Sequence, residues 1–163
     1  IVYNIAGRTG VNITTDTLAR IAELPNIAGV KEASGNINQM MEVIATIKSK
    51  KPDFAVLSGD DALTLPLISV GGDGIISVVS NLAPAAVVEM AHKALEGDFD
   101  AARKAHYKLL PFFKAAFVDG NPTSIKYAMS VKGMPSGPCR LPLAEVNDGA
   151  KKVIEDALKE CGL

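Results

Sequence analysis

The stretch Ile27-Ala28-Gly29-Val30-Lys31-Glu32-Ala33-Ser34-Gly35-Asn36 passes from apolar to charged to turn-forming residues. Residues 27–30 are a continuous apolar run, as expected for a parallel strand buried on both faces. Lys31 closes the run, and Ser34, Gly35 and Asn36 then supply a loop and a helix cap. A strand followed by a capped helix is one βα unit. Lys31 thus reads as the last residue of a buried strand. A charged ammonium is costly there, so the neutral amine is favoured. A neutral lysine amine is a nucleophile toward carbonyls, which makes Lys31 a candidate for Schiff-base catalysis.

The unit repeats in both directions. Runs rich in Val and Ile at 1–5, 54–57 and 74–79 read as further strands. Between them, 17–24 places Leu18, Ile21 and Ala22 on one helical face. Residues 37–48 carry the stripe Ile37, Met40, Met41, Ile44 and Ile47, with Asn36 as cap and Gln39 three residues on. A third helix is expected over 60–70, stopped by Gly71-Gly72. A fourth is expected over 83–95, with Pro84 in its first turn and Gly97 just past its end. The pattern βαβαβαβα predicts parallel strands joined by crossover helices. After Gly97 the strand signals stop, and helices are expected over 98–117, 122–132 and 143–161, with a Pro-rich loop at 135–142. The expected organisation is a βα part over 1–97 and a helical part over 98–163.

Two architectures fit. One is an open parallel sheet. The other is half of an eight-stranded barrel, whose full form needs roughly 250 residues. No GxGxxG or GxxxxGK[ST] fingerprint follows any strand, which counts against a nucleotide-binding sheet. Ile1 already lies within a strand-like run, so the chain is expected to begin inside a fold. A half barrel would leave two strand edges unpaired and inward Val and Ile side chains wet. It is expected to pair with a complementary half or with another copy.

Composition narrows the partners. The chain has 163 residues, a formal charge of -1 and 48% hydrophobic residues. It has no basic stripe for nucleic acid and no apolar stretch long enough to span a membrane. Its two cysteines, Cys139 and Cys161, lack metal-site spacing and fit reduced thiols, which suits a cytoplasmic location.

In a parallel βα array, functional groups gather at the C-terminal strand ends. Those ends hold Tyr3, Asn4 and Arg8, then Lys31, Glu32 and Ser34, then Ser58, Gly59, Asp60 and Asp61, then Ser77, Ser80 and Asn81. Lys31 has a competing structural reading as an ion pair with Glu32. Tyr3 also suits an ordinary half-buried strand position. Arg8, between glycines, suits anion binding, since its fork matches a carboxylate. Asp60 and Asp61 read as helix N-terminal residues rather than catalytic acids. His92 and His106 read as structural, Met40-Met41 as core or interface, and Gly71-Gly72-Asp73-Gly74 as a tight helix-to-strand turn.

At these residues the chain resembles the dihydrodipicolinate synthase family of pyruvate-dependent Schiff-base lyases. The likeness lies in Tyr3-Asn4-Ile5-Ala6-Gly7-Arg8-Thr9-Gly10, in Gly29-Val30-Lys31-Glu32-Ala33-Ser34-Gly35-Asn36, and in Ser58-Gly59-Asp60-Asp61. It continues through Gly71-Gly72-Asp73-Gly74-Ile75-Ile76-Ser77-Val78, Asn121-Pro122 with Lys126, and Arg140-Leu141-Pro142-Leu143. The resemblance implies an α/β fold, a TIM (β/α)8 barrel of which this chain supplies strands five to eight, plus a C-terminal helical domain. It implies that Lys31 forms the Schiff base and Tyr3 relays protons. It implies that Arg8 binds the carboxylate of an aldehyde substrate, with Gly59 and the Ile76 backbone carbonyl as wall positions. The implied substrates are pyruvate and aspartate semialdehyde, on the route to diaminopimelate and lysine. No metal or organic cofactor is implied, and a homo-oligomer, tetrameric in the family, is. Ala6 departs from the family's usual proline. The first four strands, with the relay's threonine and second tyrosine, are not in this chain. N-acetylneuraminate lyases share the lysine and first tyrosine but typically lack the arginine, so Arg8 favours the synthase.

Overall fold

The computed structural model describes residues 1–163. Four strands, β1 (Val2–Asn4), β2 (Gly29–Glu32), β3 (Ala55–Ser58) and β4 (Gly74–Ile75), form one parallel sheet in the order β1-β2-β3-β4. A doubly wound sheet reverses its strand order and carries helices on both faces. Here the order is sequential, and the packed helices all lie against one face, as in a barrel. The chain therefore forms four consecutive barrel-type βα units followed by a helical region.

The register fixes which side chains face the helices. Val2, Val30 and Val56 are aligned, and Val30 and Val56 are fully enclosed with Leu18 of α2 (Thr15–Ala22), Met40 and Val43 of α3 (Ile37–Val43) and Leu67 of α4 (Thr64–Ser69). Asn4, Glu32 and Ser58 share that face. The next row, Tyr3, Lys31, Leu57 and Gly74, faces the other way. No helix covers that face, and Tyr3 is 44% exposed. Two expectations change here. The strands are buried on one face rather than two, and the valines expected to be wet are core residues. The open face carries Tyr3, Lys31, Leu57 and Ile76 instead.

The helices start where capping side chains reach the first-turn N–H groups. Thr14 caps α2, Asn36 caps α3, Asp98 caps α6 (Phe99–Ala115) and Asn147 caps α8 (Asp148–Cys161). Pro84 opens α5 (Pro84–Leu95), and Thr123–Val131 forms α7. The last helix thus starts five residues later than the expected 143, because Asn147 accepts from Ala150 N at 3.0 Å while its own N–H is held by Asp119. The end of the expected 37–48 helix widens into a π-helical turn over Ile44–Lys48. The strand expected over 74–79 pairs only as far as Ile75, because residues 77–79 fold back onto Asp61. The Gly71-Gly72-Asp73-Gly74 segment is a turn, as expected: a Cβ at Gly72 would lie 2.4 Å from Leu67 Cγ. Asp73 pairs with Lys48 and accepts from Val56 N at 2.7 Å.

One apolar cluster runs from Val79, Val87 and Met90 through Leu109, Phe112 and Ile125 to Ile154 and Leu158, joining α5 to α6, α7 and α8. His106 of α6 lies beside this region, 8% exposed, with its ring edge-on to Tyr107 and Phe113 and no partner for Nδ1. Burial lowers its pKa below the ordinary 6.5. The fold thus favours neutral His106, and that stability is present above pH 6.5 and lost as pH falls through the lowered folded value. In urea unfolding, the wild-type midpoint should drop below pH 6.5. His106→Leu should flatten that part of the curve and gain roughly 1 kcal/mol by removing an unpartnered polar atom.

Candidate active site at the strand ends

Lys31 and Tyr3 are register partners on the open face. Their side chains meet, with Lys31 Nζ 4.1 Å from the Tyr3 ring centroid. Lys31 is half-buried, not enclosed, and is the third residue of a four-residue strand, not the last. It takes part in none of the chain's ion pairs. The suggested pairing with Glu32 does not form, because alternation along the strand sends Glu32 to the helix side. Gly59 gives the lysine stem its room. A Cβ there would lie 2.7 Å from Ala33 Cβ and 3.1 Å from both Cγ and Cε of Lys31.

Arg8 belongs to a single helical turn, α1 (Ala6–Thr9), rather than to an irregular loop. Gly10, at φ 73°, closes the turn. The exposed Arg8 guanidinium donates from Nη2 to Asn121 O at 2.7 Å, bridging the strand ends to the α6–α7 connection. Together Tyr3, Ile5, Gly7, Arg8, Lys31, Gly59, Val78, Phe117 and Asn121 line a cleft of about 480 Å³. Four of the five predicted site residues converge there. Ile76 does not line it: its side chain is on the open face and its N–H donates to Ser58 O at 2.9 Å.

Reading strand ends missed Phe117 and Asn121, which come from the helical region and carry no strand signal. It also treated Asp60 and Asp61 alike. Asp60 caps its turn, accepting from Ala62 N at 2.9 Å, as expected. Asp61 is buried and accepts from Ser77 Oγ, from Val78 N at 3.0 Å and from Val79 N at 3.5 Å. Burial raises its pKa, against the lowering effect of those bonds. Asp61 thereby holds the turn that presents Val78 to the cleft.

No acidic residue lines the cleft, while Lys31 and Arg8 both do. Such a site attracts anions. No three or more metal-type side chains converge anywhere in the chain. A second concavity of about 440 Å³ lies between α7 and α8, but its Lys126 and Tyr127 are already bonded to Pro138 O and Glu155.

A sequential parallel sheet with a lysine and tyrosine on its inner row and an arginine over the strand ends defines a βα-barrel class built around a strand lysine. This chain belongs to the dihydrodipicolinate synthetase family, whose family model matches residues 1–161. It is 53% identical over 158 residues to a 4-hydroxy-tetrahydrodipicolinate synthase of Protochlamydia amoebophila, covering 97% of this chain and 53% of that protein. It is 47% identical to the enzyme of that name from Methanocaldococcus jannaschii, covering 100% and 55%. Among solved structures, the dihydrodipicolinate synthase of Thermotoga maritima superposes with TM-score 0.95 at 42% identity, covering 99% of this chain and 55% of that one. A structure described as the first monomeric dihydrodipicolinate synthase variant superposes at 0.93 and 41% identity, covering 99% and 54%. The chain spans about half the length of the relatives it matches. No helix is long and apolar enough to cross a membrane.

Proposed function

We propose that this chain carries the Schiff-base half of a 4-hydroxy-tetrahydrodipicolinate synthase, a lyase-type activity condensing pyruvate with aspartate semialdehyde. The acid-free cleft that presents Lys31, Tyr3 and Arg8 together carries this reading. Both substrates are carboxylates, and both react through carbonyls. Lys31 Nζ attacks the keto carbon of pyruvate, and loss of water gives an imine. The imine draws electrons, the methyl group gives up a proton, and the resulting enamine carbon attacks the aldehyde. The amine of the second substrate then adds at the imine carbon, closes the ring and frees Lys31. Tyr3, in contact with Lys31, moves protons as general acid and base. Arg8 keeps donors beyond its bond to Asn121 and holds the carboxylate of the aldehyde substrate. Gly59 leaves the space through which the lysine stem reaches the cleft.

The attack needs Lys31 without its proton, and the cleft as it stands is open on one side. A complementary half barrel seated on the uncovered face would close the cleft and exclude water from it. The same open face supports a second reading, in which the chain serves as an assembly module and does not turn over by itself. The free thiols Cys139 and Cys161 suit the reducing cytoplasm.

The test uses assembled, active protein. Arg8→Ala should slow condensation with aspartate semialdehyde by about 10- to 150-fold, the equivalent of roughly 1.5 to 3 kcal/mol for a charged hydrogen bond. Imine formation with pyruvate should persist. Equal loss of both steps would assign Arg8 to folding, and condensation unaffected by the variant would remove it from substrate binding.

A further inference from the structure

Glu32 has no part in the reaction sequence above, yet it is fully enclosed and no cation meets it. An enclosed carboxylate is costly unless hydrogen bonds satisfy it. Its oxygens accept from Asn4 Nδ2 at 3.2 and 3.0 Å and from Ser34 N at 2.7 Å. Asn4 and Glu32 are register partners one position beyond Tyr3 and Lys31. The two pairs therefore occupy opposite faces of the same two strand ends.

The network reaches further. Glu32 O accepts from Gly59 N at 2.7 Å, and Asn4 O accepts from Ala33 N at 2.8 Å. Asn4 Oδ1 accepts from Ile13 N at 3.0 Å, and its Nδ2 donates to Asn12 Oδ1 at 2.9 Å. Gln39 Nε2 donates to Ile13 O at 2.8 Å, locking the same segment from α3. The chain between Asn4 and Ile13 contains α1, so these bonds close the base of the turn that bears Arg8.

We propose that Glu32 and Asn4 are positioning residues: they fix Tyr3 against Lys31 from the far side of the sheet and anchor the Arg8 turn. The functional meaning rests on Lys31 being the imine-forming amine, but the geometry does not. A carboxylate is required because both oxygens accept. A glutamine would turn an NH2 toward the donors of Asn4 or Ser34.

The test reads the pair directly. With Lys31 Nζ over the Tyr3 ring, the ring current displaces the adjacent methylene protons upfield, and Tyr3→Leu identifies that signal in protein with isotope-labelled lysine. In Glu32→Gln the displacement should vanish while unfolding stays cooperative. Asp73→Asn, which removes the ion pair to Lys48 just before β4, should lower stability but keep the displacement. Borohydride trapping of pyruvate at Lys31 should slow at least tenfold in Glu32→Gln and not in Asp73→Asn. If Glu32→Gln does not fold, Asn4→Ser, which deletes the Nδ2 donor, gives the same readout. Retention of the displaced signal in the folded variant, or its absence from the wild type, would overturn the proposal. A wild type that pyruvate never labels would instead remove the imine chemistry from Lys31, and the spectroscopic arm would still decide the positioning.

Discussion

Pyruvate followed by borohydride should leave a stable adduct on Lys31 and on no other lysine of this chain. The other lysines have different surroundings. Lys48, Lys93, Lys151 and Lys152 are paired with carboxylates. Lys51 donates to Ala22 O and Ile27 O, and Lys126 to Pro138 O. The carboxylates bonded to Lys93, Lys151 and Lys152 raise their pKa and so favour the protonated amine, which cannot attack a carbonyl. Lys31 is the lysine that lines the cleft beside Tyr3, where there is room for a small keto acid. Lys31→Arg keeps a cation near the Tyr3 ring but cannot form the imine, because a guanidinium stays protonated. The label should fall to background in that variant with little change in unfolding midpoint. Peptide mapping by mass spectrometry gives the answer. An adduct on another lysine would refute the assignment, and so would no adduct once the complementary half barrel is supplied.

The purified chain should also associate through its open face. Tyr3, Ile76 and Ile1 are 44%, 40% and 59% exposed there or at the adjoining edge. Each large apolar side chain left in water forgoes roughly 1.5 to 3 kcal/mol. At 40% to 59% exposure these three forgo part of that each, a sum of a few kcal/mol against a typical domain stability of about 5 to 15 kcal/mol. β1 and β4 each pair with one neighbour only, so both outer edges offer unpaired backbone groups. Sedimentation over a concentration series should show species heavier than a monomer. Ile76→Glu, which puts a charge on the open face, should weaken association at least tenfold, about 1.4 kcal/mol. Leu141→Glu, at a residue already 90% exposed, should leave it unchanged. A monomer at every concentration with cooperative unfolding would show that the open face is stable in water. Association that the Ile76 variant leaves intact would place the contact elsewhere.

The sequence by itself was enough for the alternation of strands and helices. Continuous Val and Ile runs, the cap Asn36, the proline at position 84 and the glycine at 97 act over a few residues, and local chemistry decides them. It was also enough to single out Lys31, because a cation closing an apolar run stands out whatever the rest of the chain does. It could not assign faces. In a continuous apolar run, Val30 and Lys31 carry no period-two signal to say which points to the helices. Register against β1 and β3 made Val30 core, Lys31 the cleft and Glu32 the buried partner of Asn4. The same limit hid the difference between Asp60, which caps its own turn, and Asp61, which reaches across to Ser77. Phe117 and Asn121 reach the cleft only because α5 to α8 share one apolar cluster that brings the helical region over the strand ends. Those contacts join residues about a hundred positions apart in the chain, and only packing, not local propensity, sets them.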